Sequence, residues 1–203
     1  MRKLLKRTVS CFLIAVMFWC GTLFADKQTL HDELIRLHVV GASDSEADQE
    51  LKLMVKDAVV DSLQTAMAGI SDAQAARDYL AENLPKIQEF VNQFLAQSGS
   101  EDCAVVTLGK EVFDLREYDT FRLPAGVYES LRITIGEGEG KNWWCVVFPT
   151  LCAPATTEGF EDVAAASGFE DPLACALSRE DGYELRFYLL DAMGKLENFF
   201  CGG

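Results

Sequence analysis

Residues that could do chemistry gather in two places. The first follows a short apolar run: His38 is trailed by Ser43, Asp44 and Ser45. A base, a hydroxyl and an acid lie close together there, as a serine hydrolase requires, and Cys145 offers a thiol nucleophile in place of Ser43. That reading, a cell-envelope hydrolase, competes with a plainer one. Ser and Asp after a strand more often make turns and helix caps, and a histidine at a strand end is more often hydrogen-bonded structure than a base. His31 is the other histidine, in a segment expected to be solvated. Zinc is disfavoured because no two cysteines stand at C-x2–4-C spacing and histidines are scarce. Acidic residues are plentiful but follow no paired motif. The expectation is a protein that is not an enzyme and holds no metal or cofactor.

The second place is Gly136 to Cys152, GEGEGKNWWCVVFPTLC. Gly136, Gly138 and Gly140 alternate with Glu137 and Glu139. A phosphate cradle needs amides at a helix N-terminus, whereas here two carboxylates occupy the loop and a strand follows. The glycines therefore read as a hairpin turn between two strands. Trp143 and Trp144 point to opposite faces of a regular strand. Both as packing, or one as a partner anchor, are the two readings. Sugar-binding tryptophans would need both rings on one patch, which a regular strand does not give. Cys145 and Cys152 flank Pro149, and a disulfide closing this loop would fix the shape of Pro149 to Leu151.

The elements that must position these residues follow from periodicity. Gln28 to Leu34 reads as a short lead-in helix. Leu34 to Val40 alternates as a strand, with Ile35, Leu37 and Val39 on one face and Arg36 and His38 on the other. Ser45 with Asp48 forms a capping box for a helix whose stripe includes Leu51, Met54, Val55, Val59 and Leu63, stopped at Gly69. Ser71 and Gln74 cap a second helix through Asn83, and Pro85 opens a third. Cys103 to Leu108 begins a strand-rich half. Val112 to Pro124 is an irregular connection with some pairing, and Val127 to Ile135 is a strand with one buried face. Trp143 to Phe148 is apolar on both faces, as in a central or covered strand, and Pro149 ends it. Ala153 to Asp171 reads as a surface excursion and Pro172 to Ser178 as a short helix. Tyr183, Leu185, Phe187 and Leu189 alternate as a last strand before a closing helix from Leu190 to Phe200. The fold class is α+β, a single domain with one early strand and then a helical run packed on a mostly antiparallel sheet.

Composition narrows the partners. The 203 residues carry a net charge of −14 and 49% hydrophobic residues, a globular balance with no basic stripe for nucleic acid. Arg2, Lys3, Lys6 and Arg7 precede an apolar run from Val9 to Phe24, so residues 1–25 read as a signal peptide or signal anchor, and 26–203 as the exported domain. Within it, 26–100 is mostly helical and 101–203 strand-rich. Any membrane contact would come through the N-terminal segment alone.

Two blocks carry a family resemblance: LIRLHVVGASDSEADQELKLMVKDAVV, Leu34 to Val60, and LPAGVYESLRITIGEGEGKNWWCVVFPTLC, Leu123 to Cys152. With the export signal before them, they make the chain resemble stage II sporulation protein R of endospore-forming bacteria. It departs from the family pattern at Ala42, Glu139 and Thr150. The resemblance implies a non-enzymatic signal exported from the forespore into the space between forespore and mother-cell membranes. There it would trigger a membrane-embedded aspartic-type protease, stage II sporulation protein GA, to mature pro-sigma E. No catalytic residue is carried over. The receptor-facing surface is expected at His38, Asp44, Lys141, Asn142, Trp143 and Trp144, shaped by a Cys145–Cys152 disulfide.

Overall fold

A computed structural model describes residues 2–118, 121–149, 177 and 184–201. The chain opens with α1 (Arg2–Glu33), an unbroken helix of 32 residues in which the expected lead-in is simply the last turns. Phe12, Leu13, Ile14, Met17 and Phe18 are exposed along it, and over Lys6–Glu33 the helix is long and apolar enough to cross a membrane. This is compatible with a signal peptide or a membrane anchor. Farther on, Leu23 and Leu30 bury against the body, and Asp26 pairs with Arg186 at 2.5 Å.

β1 (Ile35–Val40) follows, then the turn at Gly41 to Ser45 and α2 (Glu46–Ala66). The Ser45 hydroxyl accepts from the amide of Asp48 at 3.1 Å, the cap read from the sequence. Helices expected to break before Pro85 are instead one, α3 (Ala73–Gln97), capped by Asp72, with Pro85 inside it. Pro85 lacks the N–H for the Ala81 carbonyl, a defect worth about 3 kcal/mol. One apolar stripe on both sides of it offsets that loss: Ala76, Leu80, Ile87, Val91 and Leu95 all bury on the same face.

The strand-rich half supplies β2 (Ala104–Phe113), a short pair β3 (Arg116–Glu117) and β4 (Arg122–Leu123), β5 (Gly126–Ile135) and β6 (Asn142–Phe148). The main sheet runs in the order β2-β5-β1-β6, with β1 parallel to β5 and antiparallel to β6, and β2 antiparallel to β5. The mostly antiparallel α+β domain is thus as expected, with the early strand at its centre.

Two readings within the sheet change. The glycine stretch is no hairpin, because β1 lies between β5 and β6, and β6 is an edge strand. The reason is burial: every residue of β1 is buried, Arg36 and His38 included, so its backbone needs partners on both sides. β5 likewise buries Tyr128 and Ser130 on the face expected to be open. One face of the sheet meets α2 and α3 through Leu37, Val39, Leu131, Ile133, Cys145 and Val147. The other meets α1 and the final helix through Phe113, Tyr128, Val146, Leu30 and Leu190.

That final helix, α4 (Glu184–Cys201), replaces the expected last strand. Over a few residues the alternation of Leu185, Phe187 and Leu189 is ambiguous, but the buried positions are Phe187, Leu190, Asp191 and Gly194, which is helical spacing. Leu185 is exposed. Gly194 lets α4 touch the sheet, since a Cβ there would stand 1.5 Å from the Ala125 carbonyl oxygen. The expected excursion at 153–171, Cys152 and Cys175 lie outside the described residues, and of the expected helix at 172–178 only Leu177 is described, helical and buried.

Candidate functional site

The end of the sheet where β1 leaves and β6 enters collects the residues singled out above. Register sets their sides: Val39 pairs with Trp143, His38 with Trp144 and Val40 with Asn142. Two loops are knotted together there. The Gly140 amide donates to the Gly41 carbonyl at 2.9 Å, the Glu139 amide to that of Ala42 at 3.2 Å, and the Lys141 amide to the Asp44 carboxylate at 2.8 Å. A Cβ at Gly140 would lie 2.3 Å from the Ser43 carbonyl oxygen, so glycine permits this approach. From α2, Lys52 reaches in and donates to the Lys141 carbonyl at 3.0 Å. Burial lowers its pKa, the Asp44 carboxylate opposes that, and Lys141 adds to it.

The six expected residues divide into two groups. Asp44, Lys141, Asn142 and Trp143 are exposed. Trp143 leans to the α2 side, with the Lys56 ammonium 5.0 Å from its ring centroid. His38 and half-buried Trp144 turn to the opposite face and stack on each other. The His38 Nδ1 lies 3.2 Å from a Glu111 oxygen and its Nε2 lies 3.0 Å from Asn142 Oδ1. Arg132 joins Glu111 at 3.0 Å. Burial would raise the Glu111 carboxyl, but hydrogen bonds from His38 and Arg132 prevail and hold it below the usual glutamate range.

The hydrolase arrangement is not assembled. Both His38 nitrogens are engaged by Glu111 and Asn142, and the Ser43 hydroxyl donates to Asp48 rather than to an imidazole. Cys145 pairs in register with Leu37 and so lies on the sheet face opposite His38. It is also half of a disulfide, which removes the thiolate a nucleophile needs. Its bonded partner lies outside the described side chains. His31 is not free in solvent either: it sits 3.5 Å from Glu197 and beside Tyr128, and burial lowers its pKa while Glu197 opposes that shift. Among the described residues no cluster of His, Cys, Asp or Glu could hold a metal ion.

Sequence reasoning missed Glu111, Arg132, Lys52 and Arg36. Period two on β1 already placed Arg36 and His38 on one face, and a polar pair on a strand whose neighbours are apolar is the available signal. Glu111 and Arg132 come from other strands, and only sheet order brings them to His38.

The chain matches the family model described as Stage II sporulation protein R over residues 31–158. It is 33% identical to the Stage II sporulation protein R of Bacillus subtilis (strain 168), over 81% of this chain and 82% of that one. No solved structure matches it. An apolar N-terminal helix, the two sequence blocks around β1 and β6, and this coverage converge on one conclusion: the chain belongs to the stage II sporulation protein R family.

Proposed function

We propose that this protein is an exported sporulation signal that activates a membrane-embedded aspartic-type protease, stage II sporulation protein GA, to process pro-sigma E. It acts in the space between forespore and mother-cell membranes, coupling the two compartments. The similarity to the Bacillus subtilis protein across most of both chains carries this reading. Three structural features support it. The first helix can direct export. The hydrolase candidates His38 and Cys145 lie on opposite faces of the sheet. An exposed tryptophan stands on interlocked loops at the sheet end, with Asp44, Lys141 and Asn142 around it. A rigid aromatic on a braced loop suits recognition, because little entropy is lost when it docks. His38 and Trp144 support that surface from behind.

The test is co-expression of the full chain with the protease and pro-sigma E in a non-sporulating host. Wild type is expected to trigger processing, and Trp143→Ala or Lys141→Glu to reduce it with the fold intact. Absence of processing with wild type, when a known activating pair works in the same host, overturns the proposal.

A further inference from the structure

Arg36 is fully buried at the centre of the sheet. Its Nη2 donates to the Tyr118 hydroxyl at 3.2 Å, while Nε and Nη1 have no hydrogen-bond partner. The guanidinium carbon lies 3.9 Å from the Phe113 ring centroid and 5.2 Å from that of Tyr128. Aromatic faces attract the cation, but its in-plane N–H groups still need acceptors. A second cation stands close by. Half-buried Arg116 lies 5.2 Å from the Trp144 ring, and its buried Nε also lacks a partner. The Tyr118 hydroxyl, which accepts from Arg36, donates in turn to the Trp144 carbonyl oxygen at 3.4 Å. Burial lowers the pKa of Arg36, Tyr118 and Tyr128 oppose that, and Arg116 adds to it. Among the described residues no carboxylate pairs with either arginine, in a chain of net charge −14. A buried cation is ordinarily paired, because leaving it without a counter-charge is strongly destabilising.

We infer that Arg36 and Arg116, walled by Phe113, Tyr118 and Trp144, form a box that receives one carboxylate from an acidic segment of a partner protein. Two guanidiniums with free donors suit a planar carboxylate, which accepts several charge-assisted hydrogen bonds. The flat aromatic walls suit a carboxylate on an apolar stem better than a strongly hydrated phosphate dianion. Arg116, Tyr118 and Trp144, all half-buried, form the rim through which the group enters. The inference rests on the buried guanidiniums and stands whichever protein supplies the acid.

The full chain, in detergent and labelled with 15N-arginine, is titrated with a capped peptide holding one central glutamate, with its glutamine counterpart, and with inorganic phosphate. The Nε–H signals of Arg36 and Arg116 are expected to move saturably with the glutamate peptide, and about tenfold more weakly or not at all with the other two. Arg116→Gln should weaken the response about tenfold, and Arg36→Met should abolish it at Arg116 while the backbone spectrum persists. Should Arg36→Met lose the fold, Arg116→Gln decides, and unchanged affinity in that variant overturns the proposal. So does the absence of a saturable shift with the glutamate peptide, or a response to phosphate alone. Cross-peaks from bound water to both Nε–H groups that persist at peptide saturation also overturn it, since they show water as the standing partner.

Discussion

The His38 imidazole lies flat on the Trp144 indole, with ring centroids 3.7 Å apart and planes 20° from parallel. The pair faces each other across β1 and β6, and Phe113 packs edge-on against Trp144 at 4.9 Å. The neighbouring tryptophan, one residue earlier on the opposite side, has the Lys56 ammonium over its ring. One dipeptide thus places one ring in the packing and leaves the other exposed at the surface.

Truncating the two rings should separate these roles. Trp144→Ala is expected to cost about 3 kcal/mol of unfolding free energy, as for a large aromatic in a packed site. Trp143→Ala, at a position 38% exposed, is expected to cost under about 1 kcal/mol. Urea unfolding of the full chain in detergent reads both. Equal losses would mean that Trp143 is packed as tightly as its neighbour.

Gly194 should tolerate no side chain. The Cβ of Gly194→Ala would overlap the Ala125 carbonyl oxygen, so α4 must move off the sheet. A loss of about 1–3 kcal/mol or more is expected. Gly109→Ala, where nothing lies within 4 Å, serves as the control and should leave the melting temperature within a few degrees. A Gly194→Ala variant as stable as the control would show that α4 sits farther from β5 than described.

Glu111 predicts an acid-sensitive contribution. Its carboxyl titrates below the usual glutamate range in the folded protein, so the unfolded chain binds its proton first as pH falls. Stability from this group is fully present above the unfolded value near 4.5 and is lost as pH falls through the lower folded value. Unfolding curves of wild type and Glu111→Gln from pH 7 to pH 3 should converge in acid. A gap that stays constant over that range would show that the loss is steric.

Cys145 predicts sensitivity to reductant. Removing its disulfide with Cys145→Ser is expected to cost about 2–4 kcal/mol. Dithiothreitol should lower wild-type stability by a similar amount and leave the variant unchanged. If reductant affects both alike, a different bond is responsible.

Local pattern alone determined much of this protein. The apolar run after four basic residues, the Ser45 cap, the stripe of α2, the strand ends at Val40 and Phe148, and the opposite facing of Trp143 and Trp144 all follow from spacing a few residues wide. Family membership also rested on contiguous blocks around β1 and β6. Tertiary structure decided what depends on distant partners. The hairpin became a crossing because β1, about a hundred residues earlier, takes the place between β5 and β6. Pro85 sits inside a helix because one core faces both halves of it. Residues 184–189 are helical because burial beyond Leu189 favours the 3.6-residue period. His38 is a structural residue because Glu111, Asn142 and Trp144 reach it from two other strands, and register rather than sequence proximity brings them there. Periodicity reports which face a residue occupies, but the energy of burying that face depends on what the fold lays against it.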